Sequence, residues 1–159
     1  NSNTLPSSKY GKTKLLAENY IKKKFGSKKI PYCIVRIFNI ADKKQPKSFF
    51  YKSSFLKIKN NPNKNITFNN INHYRDFINL RELVKIIKKL HKKKITGTFN
   101  VGTGKKTYLV DLIKLMCKKY NKNLKIIKNK NKTYLIANID KLKKKLSLSK
   151  FQFDVLKNL

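Results

Sequence analysis

Tyr10 is followed four residues later by Lys14. On a helix, positions i and i+4 are neighbours, with Cβ atoms about 5–6 Å apart. A tyrosine titrates near 10, so alone it is a poor acid or base at neutral pH. An ammonium held beside it favours the phenolate and lowers that value. The pair can then give or take a proton at a sugar or alcohol oxygen. The spacing alone is not selective. Eight tyrosines among 37 lysines yield about two such pairs by composition, and two occur: Tyr10/Lys14 and Tyr20/Lys24.

Other candidates are weaker. The run Val101-Gly-Thr-Gly-Lys-Lys-Thr107 looks like a phosphate loop. A Walker A loop needs Gly and Ser/Thr where Phe99 and Lys106 stand, and a dinucleotide turn needs Gly where Thr107 stands. The run therefore reads as a structural strand-to-helix turn. His73 and His91 are far apart with no acidic or cysteine cluster near them, which argues against a metal site.

The elements that must carry these residues follow from periodicity. Leu16, Ala17, Tyr20, Ile21 and Phe25 recur at helical spacing over 10–25, and Gly26 stands at a helix-stop position. Residues 32–38 form a short β-prone run, read as a buried strand. A loop over 39–46 precedes a helix over 48–59, and 65–69 and 73–78 read as extended segments. Residues 80–91 predict an amphipathic helix with Leu83, Ile86, Ile87 and Leu90 on one face. A strand at 98–101 and the glycine turn lead to a helix over 108–120 that Thr107 can cap. Residues 124–128 predict a strand, 138–146 a Lys-rich helix and 151–158 a last helix. The alternation predicts an α/β chain.

Composition bounds the function. The 159 residues are one domain's worth, and the longest apolar runs are far short of a membrane span. The opening residues have no signal-peptide pattern, and two cysteines make no disulfide framework, so a cytoplasmic setting is expected. The formal charge of +33 suggests nucleic acid, but 37 of the 40 basic residues are Lys and three are Arg. A surface selected to read nucleic acid would use more Arg. Lys, Asn and Ile, all with AT-rich codons, make 73 of the 159 residues. Genomic base composition accounts for the charge better than a nucleic-acid partner does.

Context separates the two tyrosines. Pro6-Ser-Ser-Lys-Tyr10-Gly11-Lys-Thr13-Lys14-Leu-Leu-Ala-Glu18 resembles the active-site helix of the extended short-chain dehydrogenase/reductases, the NAD-dependent sugar-nucleotide epimerase/dehydratase family, at Tyr10, Gly11, Thr13, Lys14 and Glu18. Ile34 to Asn39 resembles the family's "lRxFN" strand. Arg75-Asp76-Phe77-Ile78 resembles its "RDFI" segment, Gly97 to Gly104 its "GxxNvGtG" strand and turn, and Asn138 to Leu146 its last helix. Together the segments cover nearly the whole chain in the family's order.

The resemblance implies an α/β fold: the C-terminal part of an NAD(P)-binding Rossmann fold plus a small substrate-binding domain. Residues 1–46 would be the Rossmann portion and 47–159 mainly the substrate-binding region, with 73–105 returning toward the Rossmann domain. Tyr10 would be the acid/base. Lys14 would lower its pKa and bind the nicotinamide ribose. Phe38 would lie by the nicotinamide, Asn39 would touch the nucleotide-sugar and Arg75 would hold its diphosphate, as a planar charged fork suits. Strand-end packing for Phe38 and Asn39, and an Arg75–Asp76 ion pair, are the plainer alternatives.

The departures set further expectations. The family's N-terminal glycine-rich βαβ unit is not found, and its catalytic Ser/Thr lies well upstream of the tyrosine, so Ser2, Thr4, Ser7 and Ser8 are poor candidates. The chain reads as a C-terminal half with its C-terminal end complete. An NAD- or NADP-dependent epimerase or reductase acting on a nucleotide-sugar is expected, with dehydratase the least favoured subtype. It would be inactive alone, completed by a separately encoded N-terminal half and homodimeric as the full enzyme. The alternative is a non-catalytic remnant or a basic nucleic-acid-binding module.

Overall fold

A computed structural model of the chain describes residues 6, 8–127, 131–149, 151 and 153–157. Ser2, Thr4 and Ser7 lie outside the described residues. Helix α1 (Lys9–Ser27) begins at Ser8, whose hydroxyl accepts from the Gly11 N–H at 3.0 Å and so caps the first turn. Strands β1 (Cys33–Ile37) and β2 (Asn39–Ile40) follow, then α2 (Phe50–Asn60) and β3 (Asn65–Asn69). Next come β4 (Tyr74–Arg75), β5 (Phe77–Ile78), α3 (Leu80–Lys92) and β6 (Gly97–Val101). The chain continues through β7 (Thr107–Tyr108), α4 (Leu109–Lys119), β8 (Asn123–Ile127), β9 (Tyr134–Leu135) and α5 (Asp140–Leu146).

The pairing is mostly parallel and long-range. β1 pairs with β6 from Cys33↔Gly97 to Ile37↔Val101. β2 continues the same run against β5, and β3 pairs with β8. β4 lies between β7, antiparallel, and β9, parallel. Parallel strands need long crossovers, and α3 supplies one between β5 and β6. Two apolar cores result. One holds Ile58, Ile66, Leu112, Ile113 and Met116; the other holds Ile78, Leu83, Ile86, Leu90, Phe99 and Leu142.

Several expectations are corrected. The strand over 32–38 is parallel but only partly buried, with Cys33 and Ile37 exposed, because β6 is its one partner among the described residues. Gly26 does not stop α1; the helix runs through Ser27 and the left-handed turn falls at Lys29. On α3, Leu83, Ile86 and Leu90 are buried, whereas Ile87 is exposed. Thr107 is a buried residue of β7, and Tyr108 occupies the N-cap position of α4. Residues 155–157 form a turn rather than part of a helix, and Gln152 and Asn158 lie outside the described residues. No described helix is long and apolar enough to cross a membrane.

A charged contact fixes α1 to the sheet. Glu18 is the buried residue of α1; its Oε2 accepts from Arg36 Nε at 2.8 Å, and its Oε1 from Arg36 Nη2 and Lys22 Nζ, both at 2.6 Å. The fork–fork hydrogen bond to Arg36, working against the desolvation of burial, holds the carboxyl below its ordinary value of 4.5. His73 ties β4 to the segment before β9. Its Nδ1 accepts from the Thr133 N–H at 3.2 Å, and its Nε2 lies 2.7 Å from Asn70 Oδ1. Burial, with Arg75 adding repulsion, pushes His73 below 6.5.

Both groups are lowered on folding, so the unfolded chain binds more protons and stability falls as pH falls. The His73 part starts to go below 6.5, the Glu18 part below 4.5, and each is gone once pH has passed the group's lower folded value. Urea midpoints across this range should show two descending limbs, and Glu18→Gln should flatten the more acidic one. A Glu18→Gln profile parallel to that of the parent would remove Glu18 from this role.

Candidate active site

The site is built where α1 starts and β1 ends. Gly11 lets the lead-in fold back on the first turn: a Cβ there would stand 2.8 Å from Pro6 Cβ and 3.2 Å from Ser8 Oγ. Ser8 is used as a helix cap. Tyr10 projects from this turn and is 74 % exposed, with Lys14 Nζ 5.3 Å from its ring centroid. Where β1 passes into β2, the Phe38 N–H donates to Val101 O at 2.9 Å. The backbone and side-chain N–H groups of Asn39 both reach Asp76 O at 3.1 Å.

These residues meet in one cleft of about 440 Å³, lined by Tyr10, Phe38 and Asn39 with Phe49, Phe50, Tyr51, Phe77 and Leu135 among others. It lies at the carboxyl end of a parallel strand, where ligands bind in open α/β sheets. Tyr20 does not line it. Its hydroxyl accepts from Lys24 Nζ at 3.0 Å on the open surface of α1. Both lysines lie over their tyrosine's ring, at 5.3 and 5.4 Å, but the direct hydrogen bond is given for Tyr20/Lys24, and it is Tyr10 that lines the cleft. A second cleft, about 540 Å³ between β1 and α3, is lined by Cys33, Val35, Ile87 and Leu90 and takes in none of the candidate residues.

Arg75 is not among the lining residues. Its Nη1 donates to Tyr74 O at 2.8 Å and to Thr133 Oγ1 at 3.0 Å, while in register it stands beside Leu135, which does line the cleft. The aromatic wall of Phe49, Phe50 and Tyr51 was not foreseen. Its signal was present as three successive rings at the start of a predicted helix.

Asp76 departs most from expectation. It forms no ion pair with Arg75 and is wholly buried. Its Oδ1 accepts from the Thr103 N–H at 2.8 Å and the Thr103 hydroxyl at 2.6 Å; its Oδ2 accepts from Gly104 N–H at 2.8 Å and Ala137 N–H at 3.2 Å. Gly102 is required by this approach, since a Cβ would stand 2.5 Å from Asp76 Oδ2. The glycine turn is therefore structural. Its N–H groups point at a carboxylate of the same chain and cannot also cradle a phosphate.

That observation bears on a dinucleotide. Tyr10 and Phe38 line the cleft, whose aromatic lining is compatible with a flat ring, whereas Lys14 lies over the Tyr10 ring and is not among the lining residues. The turn at 102–104, already satisfied by Asp76, does not fit the pyrophosphate. Among the described residues, no three His, Cys, Asp or Glu side chains are grouped to hold a metal ion.

The whole arrangement matches known folds. No curated protein matches the sequence. RMD from Pseudomonas aeruginosa, solved with NADPH, superposes with a TM-score of 0.81 at 17 % identity, over 99 % of this chain and 56 % of that one. UDP-N-acetylglucosamine 4-epimerase from Methanobrevibacter ruminantium, solved with UDP-N-acetylmuramic acid, gives 0.77 at 22 % identity, over 99 % and 55 %. UDP-glucuronic acid 4-epimerase from Bacillus cereus, solved with NAD, gives 0.78 at 21 % identity, over 96 % and 50 %. The chain spans about half the length of these structures. The sequence model of the GDP-mannose 4,6 dehydratase family matches residues 1–154. With that match over nearly its full length, and the Rossmann-like fold shared with these enzymes, the chain belongs to the GDP-mannose 4,6 dehydratase family of extended short-chain dehydrogenase/reductases.

Proposed function

We propose that this chain is the catalytic-helix and substrate-side part of an NAD(P)-dependent nucleotide-sugar epimerase or reductase. What carries the reading is the convergence of Tyr10, Phe38 and Asn39 on one cleft at the end of β1. A nucleic-acid module would not require that convergence; a non-catalytic remnant would keep the cleft but show no turnover when supplied with its glycine-rich half.

NAD(P), when bound, supplies a hydride acceptor or donor at a sugar carbon. The chain's own residues do the rest. Tyr10 takes or gives the proton of the sugar hydroxyl through its phenol oxygen. Lys14, one helical turn on, stabilises the phenolate and holds the nicotinamide ribose. Phe38 packs against the nicotinamide end, and the aromatic wall excludes water from it. Asn39 orients the nucleotide-sugar, and Arg75, released from Thr133, holds its diphosphate. Residues 1–46 belong on this reading to the cofactor domain and 47–159 mainly to the substrate domain, with 73–105 returning to the first.

The chain alone should bind NAD no better than millimolar, because a pyrophosphate site is built from backbone N–H groups at a helix N-terminus and the glycine turn here is already used. The edge of β1 that has no partner among the described residues, and the open cleft beside Ile87, should make it self-associate. Calorimetric titration with NAD and sedimentation of the purified chain test this. Micromolar NAD binding by a monodisperse monomer would show the chain to be self-sufficient and overturn the reading.

A further inference from the structure

Arg75 is held by a hydrogen-bonded chain whose direction follows from one fixed donor. The Thr133 backbone N–H donates to His73 Nδ1 at 3.2 Å. An amide N–H can only donate, so Nδ1 carries no hydrogen and the ring proton is on Nε2. Nε2–H then donates to Asn70 Oδ1 at 2.7 Å. The Thr133 hydroxyl lies 3.0 Å from the same bare Nδ1 and 3.0 Å from Arg75 Nη1. A guanidinium can only donate, so the hydroxyl accepts from Arg75 and turns its own hydrogen to His73. Every hydrogen points one way, from Arg75 to Thr133 to His73 to Asn70.

Thr133 is placed without its hydroxyl. Its carbonyl accepts from the Tyr74 N–H at 2.8 Å, which ties its backbone to β4. The hydroxyl adds the link between a buried histidine and the arginine beside the cleft: Arg75 stands in register with Leu135, which lines it. The charges near His73 are all cations. Arg75 is on its own strand. Lys132, before β9, lies over the rings of Tyr74 and Tyr108, and Lys106, before β7, over those of Tyr74 and Tyr134. Helix α4 meets His73 through the Leu109 N–H, which donates to the His73 carbonyl at 3.0 Å. Among the described residues no carboxylate is ion-paired with the ring. A proton added at Nδ1 faces the Thr133 N–H, and the hydroxyl hydrogen has to turn toward Arg75, itself a donor. The bond that holds Arg75 is then lost, and imidazolium and guanidinium repel.

We propose that His73 and Thr133 are positioning residues for Arg75: with His73 neutral they latch the guanidinium to the sheet, and a proton on His73 releases it to the diphosphate of a nucleotide-sugar. The release rests on the proposed role of Arg75, whereas the latch does not. A phosphate is a stronger acceptor for a guanidinium than a hydroxyl is, so substrate and proton act in the same direction. Coupling is reciprocal: affinity for the diphosphate rises as pH falls through the His73 value, which lies below 6.5.

The test uses the full chain labelled with nitrogen-15, in which two histidines and three arginines keep the side-chain signals few. His91→Gln and Arg75→Lys assign them. At about pH 8, His73 should show the Nε2–H tautomer and the Arg75 guanidinium hydrogens should exchange slowly with water. On acidification to about pH 5, both signals should change with one midpoint. Thr133→Val should keep the His73 tautomer and uncouple the Arg75 signal from that titration, while Thr133→Ser should behave like the parent. An Nδ1–H tautomer, Arg75 hydrogens that exchange fast throughout, or a Thr133→Val form that titrates like the parent overturns the latch. Should Thr133→Val lose the dispersed amide spectrum, the tautomer and the Arg75 exchange in the parent decide alone. Calorimetric titration with UDP-glucose, whose esterified diphosphate keeps its charge over this range, reads the release. Affinity should rise about fivefold between the two pH values, and Thr133→Val should remove the rise. An affinity that ignores pH overturns the release. An affinity that Arg75→Lys leaves unchanged, or no binding at all, overturns the diphosphate role of Arg75 instead, with the latch still read from the spectra.

Discussion

In an enzyme completed by its glycine-rich half, Tyr10→Phe is expected to lower kcat by about 100-fold or more. Proton transfer by a positioned group contributes about 10²–10⁴-fold, and the substitution removes the phenol oxygen while keeping the ring that lines the cleft. KM for the nucleotide-sugar should change little, because the loss falls on the transition state. Tyr20→Phe is the internal control. Tyr20 has the same partner spacing and a direct hydrogen bond from Lys24, yet faces away from the cleft. Its loss should leave turnover within about twofold. Steady-state kinetics of the two variants decide the matter: equal losses would mean that the catalytic tyrosine has been misassigned.

Asp76→Ala should be the most damaging single change to the fold. It strips four donors of their acceptor in a site with no solvent exposure. Hydrogen bonds to a charged group are worth about 1.5–3 kcal/mol each, and they are not additive. A loss of about 3–5 kcal/mol is therefore expected, a large part of the ~5–15 kcal/mol a domain has. Asp76→Asn keeps the shape but turns an NH₂ group toward N–H donors, so it should recover little. Gly102→Ala acts from the other side, because its Cβ would stand 2.5 Å from Asp76 Oδ2 and 2.9 Å from Ala137 Cβ. Urea unfolding followed by circular dichroism reads all three. A midpoint for Asp76→Ala close to that of the parent would show that the turn at 102–104 holds without its carboxylate.

The sequence by itself determined the local elements. Helical periodicity located α1 and α3, the helices read over 48–59, 108–120 and 138–146 fell on α2, α4 and α5 to within a few residues, and the β-prone run at 32–38 located β1, because these signals lie within one segment of chain. The family resemblance also rests on short segments, each legible in place. What the sequence left open depended on residues far apart in the chain. Thr107, Tyr108, Tyr134 and Leu135 carry weak strand signals, and they become β7 and β9 only because β4 lies between them. Asp76 stands next to an arginine, which suggests an ion pair; the fold instead buries its carboxylate under the N–H groups of Thr103, Gly104 and Ala137. Tyr10/Lys14 and Tyr20/Lys24 are identical in spacing, and helix geometry cannot rank them. The tertiary structure separates them by setting the first turn of α1 against the end of β1, so that Tyr10, though largely exposed, lines one cleft with Phe38, Asn39 and the rings at 49–51, and Tyr20 does not. Intrinsic propensity acts over a turn or two of chain, whereas a cleft and a buried charge are properties of segments brought together, and their energies exist only after the entropy of closing the intervening loops has been overcome.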